Sequence, residues 1–233
     1  MKFRIILLFG LSVLMLSCKK ITNVTLVDSP GTGKLSYKLN DDQGIGLAGV
    51  KVSLYNTEAD LNTSFPNPNT SVATVLTDQT GIAHFSDLLP KNYLVITDSP
   101  TVNKVKYRTD EFVQIVAGQE KEKILKVSEF SGFFNIRLIS NNDYRTPLKN
   151  LGVAVRPINS VQPNSDNIAD IAEGLTLKGV TDENGFVSIK VPSNINFDFI
   201  VYHLVHRNLG WGYGNYSVGK DQKNVITLYS TPL

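Results

Sequence analysis

Thr181-Asp182-Glu183-Asn184-Gly185-Phe186-Val187-Ser188-Ile189 has a counterpart 104 residues earlier (181 against 77), in Thr77-Asp78-Gln79-Thr80-Gly81-Ile82-Ala83-His84-Phe85. In both, Thr-Asp closes an apolar run, two polar residues and a Gly make a turn, and an alternating run follows. An Asp ahead of a tight turn accepts hydrogen bonds from the backbone two residues on, and the Gly supplies a positive φ. The pattern predicts a β-hairpin at each place. It also says that one structural plan occurs twice.

The flanking sequence repeats with it. Leu35–Leu39 and Val50–Tyr55 alternate with period two, and Gly132–Ile139 and Leu151–Arg156 restate them. Polar excursions follow at 56–70, with Pro66 and Pro68, and at 157–173, with a helical turn expected at Ile168–Glu173. Tyr93–Thr97 aligns with Phe197–Val201, and Glu122–Ser128 with Lys223–Tyr229. Further strands are expected near 102–108 and 111–116. Short strands at this spacing, with few helices, predict an all-β chain of two tandem Ig-like or prealbumin-like β-sandwiches, at 33–129 and 130–233. Each is large enough to bury a core. No Pro/Gly-rich linker separates them, which predicts a stiff junction.

Ahead of them stands a different kind of sequence. Met1-Lys2-Phe3-Arg4 is a short basic segment, and Ile5–Leu16 is an apolar run too short to span a bilayer comfortably. It ends in Met15-Leu16-Ser17-Cys18-Lys19-Lys20, and Cys18 is the one cysteine of the chain, so no intramolecular disulfide forms. This resembles a bacterial lipoprotein lipobox, with Met15 standing where the pattern usually has Leu. The resemblance implies a signal peptide over 1–17, lipidation at Cys18 and a tether over 18–32. Buried acyl groups at about 0.8 kcal/mol per CH₂ then anchor the chain without a transmembrane helix. Ser-Cys-Lys-Lys looks like lipoproteins of the Bacteroidetes, which implies an outer-membrane location. Lys19–Asn23 has no acidic residue to direct surface export, so periplasmic and surface orientations both stay open.

Removing Lys2 and Arg4 takes the 23 basic side chains to 21, against 21 acidic ones. The mature chain is formally neutral and has no Lys/Arg stripe, which argues against nucleic-acid binding.

Ala48-Gly49-Val50-x-Val52-x-Leu54, then Thr77-Asp78-x-x-Gly81-x-Ala83-x-Phe85-x-x-Leu88 and Tyr93-x-Val95, resemble the carboxypeptidase regulatory-like domains. These are transthyretin-like sandwiches, similar also to the B-type repeats of Gram-positive collagen adhesins. The second unit matches through Leu151-x-Val153-x-Val155, Thr181–Gly185 with Val187, and Phe197-x-Phe199. The matching residues are core and turn positions, so the resemblance speaks to fold. Adhesin repeats often carry a Lys–Asn isopeptide bond promoted by a buried acid. The resemblance would put that acid at Thr97 and Val201, and neither is acidic, so Lys38 is expected to form no such bond.

Few residues suggest chemistry. Asp78 and Asp182 lack companion carboxylates at calcium-ligand spacing and read as turn residues. His203 and His206 would point to opposite faces of a strand, and no Cys or carboxylate pair completes a zinc set. No catalytic constellation, cofactor or metal is expected. The most suggestive stretch is Leu209-Gly210-Trp211-Gly212-Tyr213-Gly214-Asn215-Tyr216, which holds the one Trp. Trp211 and Tyr213 are in phase on a strand and Tyr216 is not. The glycines leave ring faces uncovered, which suits stacking on a sugar or a partner's surface. The plainer reading, that these aromatics fill the sandwich core or cover an edge, is the favoured one. The sequence therefore predicts a non-catalytic envelope module for protein interaction or adhesion, with a carbohydrate-binding module on Trp211, Tyr213 and Tyr216 as the alternative.

Overall fold

Period-two alternation sets the inner faces. In β1 (Gly33–Asn40), Leu35, Tyr37 and Leu39 are buried while Ser36 and Lys38 face outward. The computed structural model describes residues 31–57, 71–158, 160–164, 166–206 and 210–231, and of residues 211 and 213 only the backbone.

The strands that follow are β2 (Lys51–Asn56), β3 (Ser71–Leu76), β4 (Ile82–Leu88), β5 (Asn92–Thr97), β6 (Thr101–Val102), β7 (Val105–Lys106), β8 (Asp110–Gln114) and β9 (Glu120–Lys126). They form two sheets, β4-β1-β9 and β3-β2-β5-β8, and a small β6-β7 ribbon. The plan recurs in β10 (Ser131–Ser140), β11 (Leu151–Pro157), β12 (Lys178–Val180), β13 (Phe186–Pro192), β14 (Phe197–His203), β15 (Gly210–Tyr216) and β16 (Lys223–Ser230). These build β13-β10-β16 and β12-β11-β14-β15. In each copy the first strand pairs antiparallel with its fourth-strand neighbour and parallel with the last strand, β1 with β9 and β10 with β16. The all-β sandwich reading holds. The one described α-helix, α1 (Ile168–Gly174), lies where the sequence places a helical turn.

The predicted hairpins are corrected. β3 and β4 belong to different sheets, as do β12 and β13, so Asp78–Gly81 and Asp182–Gly185 are corners that carry the chain across the sandwich. Their chemistry is as read. Asp78 Oδ1 accepts from the Thr80 and Ile82 amides at 2.8 and 3.0 Å, and Asp182 Oδ1 from the Asn184 and Phe186 amides at 2.9 and 2.8 Å. The preceding Thr does as much. Thr77 Oγ1 donates to Leu47 O at 2.6 Å and accepts from the Val50 amide, while Thr181 Oγ1 donates to Leu148 O and accepts from the Leu151 amide. Both threonines are buried, so each Thr-Asp pair stitches the corner to the start of β2 or β11.

Each sandwich has its own core. Tyr37, Leu54, Phe85 and Tyr93 lie in the first, and Phe134, Ile136, Phe199 and Val201 in the second, where Phe134 meets Phe199 edge-on at 4.9 Å. A 3-10 turn, Val127–Glu129, joins β9 to β10. Phe130, just after it, packs in the first core, yet its carbonyl accepts from the Ser193 amide at 2.9 Å and Lys220 Nζ lies 4.2 Å from its ring centre. Asn194 Nδ2 donates to both Asp110 carboxylate oxygens, at 2.9 and 3.1 Å. The junction is a packed, hydrogen-bonded seam.

Candidate functional site

The aromatic stretch lies on edge strand β15. Its register sets Trp211 opposite Val201 and Tyr213 opposite Phe199, with a bulge in β15 at Gly214–Asn215, facing Asp198, that brings Tyr216 opposite Phe197. The bulge explains the missing phase, because one extra residue shifts every later side chain. The Tyr216 ring packs against Phe199 at 5.0 Å and joins the margin of the second core. The side chains of Trp211 and Tyr213, and Cys18, the residue that the sequence marks as the candidate lipidation site, lie outside what the structure describes.

His203 ends β14, and the chain bends at 204–206. The bend overrides the strand geometry and stacks the His203 and His206 rings 5.3 Å apart. His203 Nδ1 accepts from the Val205 and His206 amides, each at 3.1 Å. That nitrogen is committed to holding the bend.

The second excursion is organised by a residue that pattern reading missed. Arg156 is buried and donates from Nη1 to the Ser160 and Val161 carbonyls, and from Nη2 to Gln162 Oε1 and, at 2.9 Å, to Asp198 Oδ2. Beyond this clamp α1 lays Ile168 and Ala172 on Ala154, Ile200 and Tyr202. The outer face of β12-β11-β14-β15 thereby gains a third layer. The only sequence signal was an Arg in phase with outward-facing positions of a strand whose residues are otherwise apolar.

Three-dimensional proximity also brings together Ser36, His84, Asp78 and Glu120, from β1, β4, a corner and β9. Ser36 Oγ lies 3.1 Å from His84 Nδ1, and His84 Nε2 is 4.0 Å from Asp78 Oδ2. The order is that of a nucleophile, base and orienting acid, but Ser36 donates its proton to Glu120 Oε1 at 2.7 Å. The His–Asp distance exceeds a hydrogen bond. The serine proton is thus directed away from His84, and no acid among the described residues lies within hydrogen-bond distance to orient the ring, so the set is not aligned as a triad.

Thr97 is buried and shares a hydrogen bond of 2.9 Å with Thr109, and Val201 is buried in the second core. Lys38 lies on the outward phase of β1, turned away from both the core and Thr97.

The exposed turn carboxylates give the fold a pH dependence. Bonds from the Thr146 hydroxyl and amide and the Arg145 amide lower Asp143 from 3.8 to about 2, and the Ile82 amide and Thr80 hydroxyl lower Asp78. A depressed carboxyl stabilises the fold above its unfolded pKa, and that contribution is lost as pH falls through the folded value. Thermal unfolding midpoints are therefore expected to drop between about pH 4 and pH 2. Asp143→Asn should flatten the lower part of that profile.

No family model matches the chain, and no curated protein does. Solved structures are similar at low scores. The Bacillus anthracis TIE protein is 17% identical with a TM-score of 0.36, over 86% of this chain and 34% of its own. A streptococcal ancillary pilin is 16% identical with a TM-score of 0.36, over 88% and 64%. The minor pilin of Streptococcus agalactiae is 13% identical with a TM-score of 0.35, over 87% and 97%. The chain thus spans about a third of the first of these proteins and under two thirds of the second. The assignment of the fold rests on the strand order above.

Proposed function

We propose that this chain is a non-catalytic binding or structural module of the cell envelope, held at the outer membrane through lipid on Cys18 and serving protein interaction or adhesion. Its units are the tether at 18–32 and two domains at 33–129 and 130–233. The observation that carries the reading is the seam between the cores. Phe130 belongs to one core while Ser193 and Lys220 hold it from the other side, and Asn194 bridges to Asp110. A module that presents one continuous surface from both sandwiches needs such a seam, because a flexible linker between them would let the halves move independently. None of the described helices is long and apolar enough to cross a membrane, and the lipid supplies the attachment in this reading.

The test is metabolic labelling with an alkyne fatty acid. The native chain should carry the label and sediment with membranes, and Cys18→Ala should lose the label and leave the membrane fraction. An unlabelled native chain in the soluble fraction would sink the anchored reading.

A further inference from the structure

The corresponding faces of the two four-stranded sheets carry different residues. Strand pairing sets Tyr55 opposite Leu94 where the second sandwich sets Arg156 opposite Asp198, and Ser53 opposite Ile96 where it sets Ala154 opposite Ile200. In the second sandwich α1 covers that face. In the first, the same face forms one wall of a groove of about 500 Å³, whose far wall is the Asn194–Ile195 turn of the second sandwich. The volume falls within the roughly 300–1,000 Å³ of small-ligand sites, which gather at domain junctions. The far wall is fixed, because Asn194 holds a left-handed φ of 57°, donates its amide to Val218 O and gives its side-chain nitrogen to Asp110.

The charges in the groove are unevenly satisfied. Lys51 pairs with Asp98 at 3.4 Å, and Ser99 Oγ donates to the other Asp98 oxygen. Arg108 has no hydrogen bond or ion pair among the described residues, and its Nε is buried without a partner. A buried donor left unmet is costly, and a guanidinium fork matches a carboxylate with two parallel N–H···O bonds. The remaining lining is not that of a simple anion site. Tyr107 supplies aromatic surface beside the buried Tyr55, Asp98 and Asn194 Oδ1 are acceptors, and Lys51 donates. Hydroxyl groups use donors and acceptors together.

We infer that this groove binds a carboxylated sugar, a hexuronate unit of a glycan, with its carboxylate on Arg108 and its hydroxyls between Asp98, Lys51 and Asn194. The inference rests on the binding-module reading and supplies its ligand class. It also moves the sugar site away from residues 211–216.

The experiment is titration of the full-length protein in detergent micelles with methyl glucuronide, methyl glucoside and acetate, followed by calorimetry and by amide NMR shifts. Methyl glucuronide should bind saturably, move the amides of 96–99 and 194–195, and bind at least about tenfold more tightly than either comparison ligand, a ratio worth about 1.4 kcal/mol. Arg108→Gln should weaken it about tenfold or more with an unchanged unfolding midpoint, and Arg108→Lys should weaken it less. No saturation up to about 10 mM overturns the inference. So does equal binding of the glucoside or of acetate, or binding that moves amides elsewhere. If Arg108→Gln fails to fold, the shift map of the native protein still decides the site. Cys18 labelling reads the envelope proposal independently, so the sugar site can fail while that proposal stands.

Discussion

Asp198→Ala is expected to destabilise the second sandwich by about 3–5 kcal/mol, the usual cost of stranding one member of a buried ion pair. The Arg156 guanidinium is 3% exposed, and Asp198 is its one carboxylate partner among the described residues. Asp198 Oδ1 also accepts from the Asn215 amide at 3.3 Å across the β15 bulge, so the substitution loosens the edge strand too. The informative comparison is the double variant Arg156→Tyr with Asp198→Leu, which copies the Tyr55–Leu94 pair of the first sandwich. Replacing a buried pair by packed apolar residues is often nearly neutral, so the double variant should recover most of what the single one loses. Urea unfolding midpoints of the three proteins measure this. A double variant as unstable as Asp198→Ala would show that the clamp acts mainly by holding Ser160, Val161 and Gln162.

Gly185→Ala should cost roughly 2–4 kcal/mol, and Gly81→Ala a similar amount. Both glycines have positive φ, 69° and 81°, and both sit where a Cβ would strike backbone, 2.4 Å from Leu138 O and 2.6 Å from Leu39 O. Those carbonyls belong to β10 and β1, the central strands of their sheets, so relieving the clash means moving the strand on which each core is built. Gly44 is the control. Its φ is 83°, yet nothing lies within 4 Å of its Cβ position, and Gly44→Ala should cost only the left-handed penalty of about 1–2 kcal/mol. Equal losses at Gly44 and Gly185 in thermal unfolding would mean that φ alone, and not the close approach, fixes the corner.

The strands and their duplication were legible because each inner face repeats an apolar residue at period two, as in Leu35-x-Tyr37-x-Leu39. The corners were misread as hairpins for a local reason. An Asp-x-x-Gly turn makes the same hydrogen bonds whether the next strand returns to its neighbour or crosses to the other sheet. The crossing is decided by the parallel pairing of β1 with β9, more than 80 residues away (34 against 120), and no local window contains it. Arg156 and Arg108 escaped notice because a single cation in a strand carries no pattern. Only the fold shows that one is clamped and the other faces a groove. The β15 aromatics drew attention through spacing, yet one bulged residue changed the phase of Tyr216 and set it on Phe199.

The parallel first-and-last pairing has a mechanical meaning. Lys34 lies beside Glu120 and Asn40 beside Lys126, so the chain enters the first sandwich at one end of this ladder and leaves it at the other. Tension drawn along the chain would load these rungs together in shear, whereas a hairpin would open one rung at a time. The β10–β16 ladder, from Phe133 beside Lys223 to Ser140 beside Ser230, has the same polarity. Each sandwich is thus gripped where its own ends are pulled, the arrangement that resists force applied along the chain.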